Sequence, residues 1–414
     1  MNILIDASTY SIGNSMGGIG VRLWELAQVL SKNYFITFLV NKESDFEHPN
    51  IKFEIYQESN WKELIDHCDA IITTDLPDTR FLIYAHEKNK LIISENQVPI
   101  EHLEYYKVRM AMDPNLCYND IVSRYKLQIL VTDHFITRSS VERATIIASL
   151  VLLGRIDYDE YNNSKNLSTI LSHIPIGFNS FSDEIKNNTI GIDKTIDFIW
   201  NGGIWDFYEP CIVPEAIRKL KDRNIDVNMK FMYFPSNEQL FKEAMNLHNK
   251  TKELQVEDQI KFVQEYIPHL QRDKLLNASR AIIVYAKDSI ENYTCHRLRL
   301  RDAFLYNLPV ITDKYGATGD LVEQLNIGIT VRNEIELARA MERIKYDEDF
   351  YQQLVLNLQK VREQFKVENH VHSLVNFLNN HKKLSSGRFN SRDKRISDLL
   401  SANSDLLVKP SSII

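Results

Sequence analysis

"FIWNGGIWDFYEP", residues 198–210, sets the architecture. It starts as a strand-like apolar run, stops at Gly202 and Gly203, places Trp200 and Trp205 on either side of them, and ends in an acidic turn closed by Pro210. A strand that runs into a glycine turn and then into the helical pattern "VPEAIRKLKDR" is the opening of a β-α-β unit, and glycine there allows a ligand to approach the main chain. Downstream, "MKFMYF" reads as a strand, "NEQLFKEAMNLHNKTKEL" as a helix, and "QIKFVQE", "AIIVYA" and "LPVITD" as further strands. Such alternation predicts a parallel sheet with helices on both faces.

The same grammar fills the first half of the chain. "NILIDAS" reads as a strand, "GVRLWELAQVLSKN" as a helix and "FITFLV" as a strand, and "DAIITTD", "KLIIS" and "HFITRS" continue the series. After "ILSHIPIGF" the run "NSFSDEIKNNTIGIDKT" is polar and lacks apolar periodicity, which places a domain boundary there. The expected fold is α/β, with a Rossmann-like domain over 1–180 and a second over 181–365. A C-terminal helix over 366–382 has the first domain as its candidate docking face, and 383–414, rich in serine and charge, is expected to be a mobile polar tail. Two such domains in series are expected to face each other across a cleft, with ligands at the carboxyl ends of the strands.

Bulk properties agree with two ordinary domains. At 414 residues the chain exceeds one core, and 44% apolar with 25% charged residues argues against extended disorder. The 49 basic and 56 acidic residues leave a formal charge of -7, so nucleic acid is not an expected partner, although local basic pockets stay open. Cys68, Cys117, Cys211 and Cys295 form no CxxC pair, which fits a reduced cytosol better than a disulfide framework or a zinc site. "MNILIDAS" has no basic leader, and the most apolar stretch, Thr145 to Gly154, is about half the length that crosses a bilayer. A soluble cytoplasmic protein without an integral membrane segment is expected, with peripheral membrane attachment left open.

Three features carry chemistry. In "SMGGIGVRLWELAQ", Gly17, Gly18 and Gly20 lie between strand and helix, where main-chain N–H groups and the helix dipole suit a diphosphate. A tight turn that packs the helix on the sheet explains the same glycines equally well. In the second domain Gly202 and Gly203 form the equivalent turn, and Trp205, more than Trp200, is a candidate wall for a sugar or base face. In "DSIENYTCHRLRLRDAFLYNLPVITD", Glu291 lies in the loop after a strand, with Arg297, Arg299 and Asp302 on the helix that follows. Carboxylates accept from the paired hydroxyls of a ribose and guanidiniums offer forks to phosphate, so the cluster suits a sugar nucleotide; a salt-bridged helix face is the plainer alternative.

Taken with "HFITRSSVERATIIASLVLLGRI", "IPIGF" and the order of these motifs, the chain resembles glycosyltransferase family 4 from Met1 to about Asn380. The resemblance implies the GT-B fold, a nucleotide-sugar donor held mainly by the second domain, an acceptor held mainly by the first, retention of anomeric configuration, and no bound metal or other cofactor. Many family members carry two glutamates eight positions apart around this helix. Glu291 matches the first, Arg299 stands at the second position, and Asp302 lies seven residues before Pro309, where the second glutamate usually sits. The family's Arg and Lys after the glycine turn are replaced by Ile204, Trp205 and Asp206, which makes Arg297 and Arg299 the candidates for the phosphate charge. No DxD stands at a strand end and no HExxH occurs. By the same resemblance, Glu95 ends a first-domain strand near the transferred sugar and Glu101 is the candidate acceptor contact.

The expected activity is glycosyl transfer from a nucleotide-activated donor to an acceptor hydroxyl, with Glu95, Arg297 and Arg299 as catalytic candidates. The acceptor, whether lipid-linked glycan, polysaccharide, protein or small molecule, is left open, as is the oligomeric state. A sugar-nucleotide-binding subunit of the same fold without turnover is the alternative. A dinucleotide-binding dehydrogenase rests on "GGIG" alone, with Glu43 near the end of strand two. His86, His102 and His134 have no ligand-like spacing, and His296 lies inside the Glu291 cluster.

Overall fold

Strands that read as continuous apolar runs belong in a sheet covered on both faces. The computed structural model describes residues 1–95, 103, 106–156, 158–187, 193–235, 241–264, 267–380 and 389–407. The chain divides into two units, Met1–Pro175 with Val367–Ile414, and Ile176–Lys366.

The first unit contains β1 (Asn2–Ala7), β2 (Phe35–Val40), β3 (Ile51–Ile55), β4 (Ala70–Thr74), β5 (Leu91–Glu95), β6 (His134–Thr137) and β7 (Leu171–His173). They form one parallel sheet in the order β3-β2-β1-β4-β5-β6-β7. The order reverses between β1 and β4, the crevice where α/β sheets bind ligands at the strands' carboxyl ends. On one face the helix Gly18–Leu30 packs Leu23, Leu26, Ala27 and Leu30 against Ile3, Ile5, Ile36 and Phe38. Val367, Val371, Leu374 and Leu378 from the chain's return join the same core. The other face is covered by Phe81, Leu127, Leu130 and Ile396 from three helices.

The second unit repeats the plan with β8 (Ile196–Trp200), β9 (Met229–Phe231), β10 (Ile260–Phe262), β11 (Ser279–Val284), β12 (Val310–Asp313) and β13 (Gly328–Val331). Its parallel order is β10-β9-β8-β11-β12-β13, with the reversal between β8 and β11. The glycine turn follows β8 and the Glu291 segment follows β11, so topology alone brings those two distant motifs to one sheet edge. Glu291 lies in a short helix, Ile290–Thr294, and not in a loop, and Arg297 and Arg299 precede the helix Leu300–Tyr306 on which they were expected.

Two expectations about the chain's organisation are corrected. The first unit ends at Pro175, a few residues before the expected boundary, because "IGFNS" belongs to the second unit's own packing. Phe178 is fully buried, its N–H donates to the Phe365 carbonyl at 3.1 Å, and Asp183 pairs with Arg362 at 2.5 Å and Lys366 at 3.3 Å. The stretch read as a mobile tail contains a helix, Phe389–Ala402, and buries Ile396 and Leu406. Its anchor is Arg392, which donates to the carbonyls of Leu130, at 2.6 Å, and Val131 at the end of the helix Pro114–Val131, and pairs with Asp133 at 2.9 Å. Serine-rich composition concealed a few apolar side chains and one guanidinium placed to cap a helix end.

Candidate active site

β8 ends on Trp200, which is fully buried, stacked on Phe231 at 5.5 Å and edge-on to Tyr208 at 5.4 Å. It is a core residue and not a wall of the site. Trp205 is 53% exposed and sits beside Phe241 with ring centres 6.5 Å apart. The two glycines between them do not adopt positive φ. They are required by close packing: a Cβ on Gly202 would lie 2.8 Å from Arg299 Nε, and one on Gly203 would lie 3.2 Å from the Trp205 indole. The turn thus admits a guanidinium and an indole from the protein itself against its main chain, where the sequence reading had expected a ligand.

The acidic turn that follows is tied to the end of β11. Glu209 N–H donates to the Tyr285 carbonyl at 3.1 Å, Lys287 N–H to the Phe207 carbonyl at 3.0 Å, and Lys287 Nζ to the Asp206 carbonyl at 2.5 Å. Lys287 also pairs with Glu243 at 2.7 Å. These bonds tie the turn after the glycines to the chain that leaves β11 toward Glu291.

The basic run divides into residues with different roles. Arg297 is spent on Glu291: its terminal nitrogens donate to the two carboxylate oxygens at 2.5 and 2.6 Å, and one reaches Asn292 Oδ1 at 3.0 Å. Both residues are almost wholly buried. The pair is an internal fork–fork bridge, so neither residue offers the full charge expected of a ribose or phosphate contact. Arg299 is different. Its guanidinium lies 4.1 Å from the Tyr208 ring centre and 5.0 Å from that of Trp200, and donates to the Gly203 carbonyl. Among the described residues it has no carboxylate partner, and its Nη1 is buried without any hydrogen bond. Burial holds it below the usual arginine range, with Tyr208 acting in the opposite sense.

Asp302, expected to contact the donor, is enclosed. Its carboxylate accepts from Asn201 Nδ2 at 2.6 Å, from Arg301 at 3.0 Å and from Arg272. Burial raises its carboxyl, and Arg272 and Arg301 more than offset this, so it stays below the usual carboxylate range. The correction has a physical reason: a carboxylate with no exposed surface is stable only when guanidiniums and amides surround it, and these leave a ribose no access. Asn201 also holds the Arg299 carbonyl at 3.2 Å, which sets the start of the helix Leu300–Tyr306. Asn201 and Arg272 escaped the sequence reading. Asn201 had a signal, since it precedes the glycine pair; Arg272 had none, because its helix has no apolar stripe to orient it. Arg272 Nη1 and Asn201 Oδ1 are also buried without partners, next to Asp302.

In the first unit the expected glycine turn opens the helix Gly18–Leu30. Gly17, its N-cap, has nothing within 4 Å of where a Cβ would stand, and Gly18 is exposed. Gly20 is a packing residue, because its Cβ would lie 2.8 Å from the Ser11 carbonyl. Glu95 ends β5 and is buried, with Oε1 held by Arg22 Nε at 2.5 Å. Arg22 also donates to the carbonyls of Pro175 at 2.9 Å and Ile174 at 2.8 Å, so the clamp on Glu95 is itself fixed. Glu101 and His102 lie outside the described residues. His134 is structural, stacked on Phe377 at 4.4 Å and close to Ser172 Oγ at 2.7 Å, and burial pushes its pKa down to about 4. His86 pairs with Asp393 at 2.9 Å, and His296 is half-buried. Among the described residues, no group of three His, Cys, Asp or Glu could hold a metal ion, and no helix is long and apolar enough to cross a membrane.

Neither a scan of protein-family models nor a search of curated proteins finds a match. Solved structures do match. The sucrose-phosphate synthase of Thermosynechococcus elongatus superposes with a TM-score of 0.65 at 14% identity, covering 91% of this chain and 99% of its own. Anabaena HepE, solved with UDP and glucose, gives 0.63 at 13% identity over 92% of this chain and 99% of its own. The chain has the GT-B fold. A trehalose-6-phosphate protein from E. coli, bound with UDP-2-fluoro glucose, gives 0.63 at 11% identity over 92% of this chain and 100% of its own. These GT-B neighbours are consistent with the resemblance to glycosyltransferase family 4.

Proposed function

We propose that the chain is a glycosyltransferase that moves a sugar from a nucleotide-activated donor to an acceptor hydroxyl, with retained configuration and no metal or other cofactor. The single observation that carries this reading is Arg299, a buried guanidinium at the β8/β11 crevice with an unpartnered Nη1 and no carboxylate in an ion pair with it among the described residues. A buried charge whose only counter-charge, Asp302, acts on it without an ion pair is costly. An anion bound at that edge relieves the cost, and the diphosphate of a sugar nucleotide is the anion that fits a sheet edge of this topology. Arg299 then stabilises negative charge as the leaving diphosphate separates, and it does so preorganised by Tyr208, Trp200 and the Gly203 carbonyl. Trp205, half-exposed on the same turn, offers a flat apolar face. Gly17 and Gly18 remain candidates for main-chain contact to an anion in the first unit.

UDP is the first donor nucleotide to test, since it is bound in the structures of HepE. Calorimetric titration with UDP, GDP, ADP and dTDP is expected to show binding by at least one, lost in Arg299→Met. A chain that binds none of them, or a variant that binds as well as wild type, overturns the reading.

The neutralised Arg297–Glu291 pair and the enclosed Asp302 favour a second reading, a nucleotide-sugar-binding subunit without turnover. Slow release of free sugar from the donor counts against it. The free thiols, Cys68, Cys117, Cys211 and Cys295, suit a reducing cytoplasmic setting for either reading.

A further inference from the structure

Asn201 combines features that stability alone does not account for. It follows β8, stands directly before the glycine pair, and is almost wholly buried with its Oδ1 lacking any hydrogen-bond partner. An unmet buried acceptor is costly, so it cancels part of what the amide's donated bonds contribute. Nor does Asp302 need the amide to balance its charge. Its carboxylate already lies between two guanidiniums, accepting from Arg272 and, at 3.0 Å, from Arg301. A residue that breaks a local rule in this way is expected where function compensates for it.

The two donated bonds show what that function acts on. Asn201 Nδ2 reaches the Asp302 carboxylate at 2.6 Å and the Arg299 carbonyl at 3.2 Å. The same carbonyl receives the Asp302 N–H at 3.1 Å, so Arg299, the N-cap of the helix Leu300–Tyr306, has its main chain fixed from two sides. Its guanidinium is fixed by the residues next to Asn201. It donates to the Gly203 carbonyl, and it lies so close to Gly202 that a Cβ there would stand 2.8 Å from Nε and 2.9 Å from Cζ. One short segment, 201–203, thus grips both ends of a long side chain. An arginine has many rotamers, and holding it in one before a ligand arrives removes that ordering cost from binding. The amide cannot be turned over, because Oδ1 would then face the Asp302 carboxylate and the Arg299 carbonyl with no hydrogen between them.

We propose that Asn201 is a positioning residue for Arg299, with the enclosed Asp302 carboxylate as its anchor: the amide ties the main chain at Arg299 to that anchor and so keeps the guanidinium on the glycine turn, where a diphosphate meets it. This role rests on the glycosyltransferase reading for its ligand, and its effect on Arg299 is measurable without one.

Two measurements on the full chain test it. In proton–nitrogen correlation spectra without ligand, the Arg299 Nε–Hε signal is identified by its loss in Arg299→Met, and its proton is expected to exchange with solvent about tenfold faster in Asn201→Ala. Calorimetry then compares UDP with uridine, GDP with guanosine, ADP with adenosine and dTDP with thymidine. Wild type is expected to bind at least one diphosphate about tenfold or more tightly than its nucleoside. Asn201→Ala is expected to lose about tenfold in diphosphate affinity and to keep nucleoside affinity within about twofold, because only the guanidinium has moved. Looser packing alone would weaken diphosphate and nucleoside together. Three outcomes overturn the proposal: the Arg299 proton exchanges as in wild type, the diphosphate preference survives in Asn201→Ala, or both ligands weaken equally. Should Asn201→Ala not fold, Asn201→Ser decides by the same readings. A wild type that binds no diphosphate better than its nucleoside removes the donor reading instead, and proton exchange then shows by itself whether Asn201 sets Arg299.

Discussion

Gly202→Ala probes the most specific feature of the site, the close seat of Arg299 on the glycine turn. An added Cβ would stand 2.8 Å from Nε, 2.9 Å from Cζ and 3.1 Å from Nη2 of Arg299, so the guanidinium must move. Moving it breaks its bond to the Gly203 carbonyl and its contacts with Tyr208 and Trp200, and draws Nη1 away from the crevice. A charge-assisted hydrogen bond contributes about 1.5–3 kcal/mol, so UDP affinity is expected to fall about ten- to hundredfold. The fold itself should survive, because Gly202 does not need positive φ and alanine restricts the unfolded chain, an effect of about 0.4–1 kcal/mol in the opposite direction. Gly203→Ala is the internal control. Its Cβ would meet only the Trp205 indole, at 3.2 Å, and that half-exposed ring is free to shift, so affinity should stay within about threefold. Isothermal titration with UDP on the three proteins decides. Equal losses in both variants, or no loss in Gly202→Ala where wild type binds, would show that the seat of Arg299 is not what holds the nucleotide.

Three further outcomes follow from the packing. Glu291→Ala strands Arg297 as a buried charge, and is expected to destabilise the second unit by about 3–5 kcal/mol in urea melts while leaving UDP affinity intact; a loss of affinity in protein that is still folded would restore Glu291 as a donor contact. Arg392→Ala removes a cap from the helix Pro114–Val131 and leaves Asp133 without its ion-pair partner, holding only the Ile92 N–H, so a loss of about 3–5 kcal/mol is expected by chemical denaturation, and an unchanged midpoint would return residues 389–407 to the status of a loose tail. His134 is buried neutral with its pKa lowered from 6.5 to about 4, so the unfolded chain takes up a proton first as pH falls. Stability is expected to drop by about 3 kcal/mol between pH 6.5 and about 4, and His134→Gln should flatten that slope in pH-dependent urea melts.

Much of the fold was legible because strand and helix periodicities are local. "NILIDAS" and "LPVITD" contain the strands Asn2–Ala7 and Val310–Asp313, and "AIIVYA" overlaps Ser279–Val284, which begins two residues earlier, with the glycine turns and the Glu291 segment at strand ends. Of the site, Arg299 was legible as a cation placed at a sheet edge. The partition within "RLRLRD" was not, because whether a guanidinium is spent or available depends on which carboxylate lies across from it, and that is a long-range fact. Asp302 looks like a ligand in sequence and proves to be a core acid, since Asn201 and Arg272 come from distant segments to enclose it. The tail misled for a related reason: serine and charge are counted residue by residue, whereas Arg392 is valuable only because the open end of another helix lies beside it.

Residue order alone established two β-α-β sheets, their glycine turns and the crevice positions of the chemical groups, because hydrophobic period and strand-end grammar operate over a few neighbouring residues. Folding in three dimensions settled which charges cancel, which oxygens lack partners and which glycines serve packing. Those properties belong to pairs of residues far apart in the chain, and only the sheet's parallel ladder brings them within bonding distance.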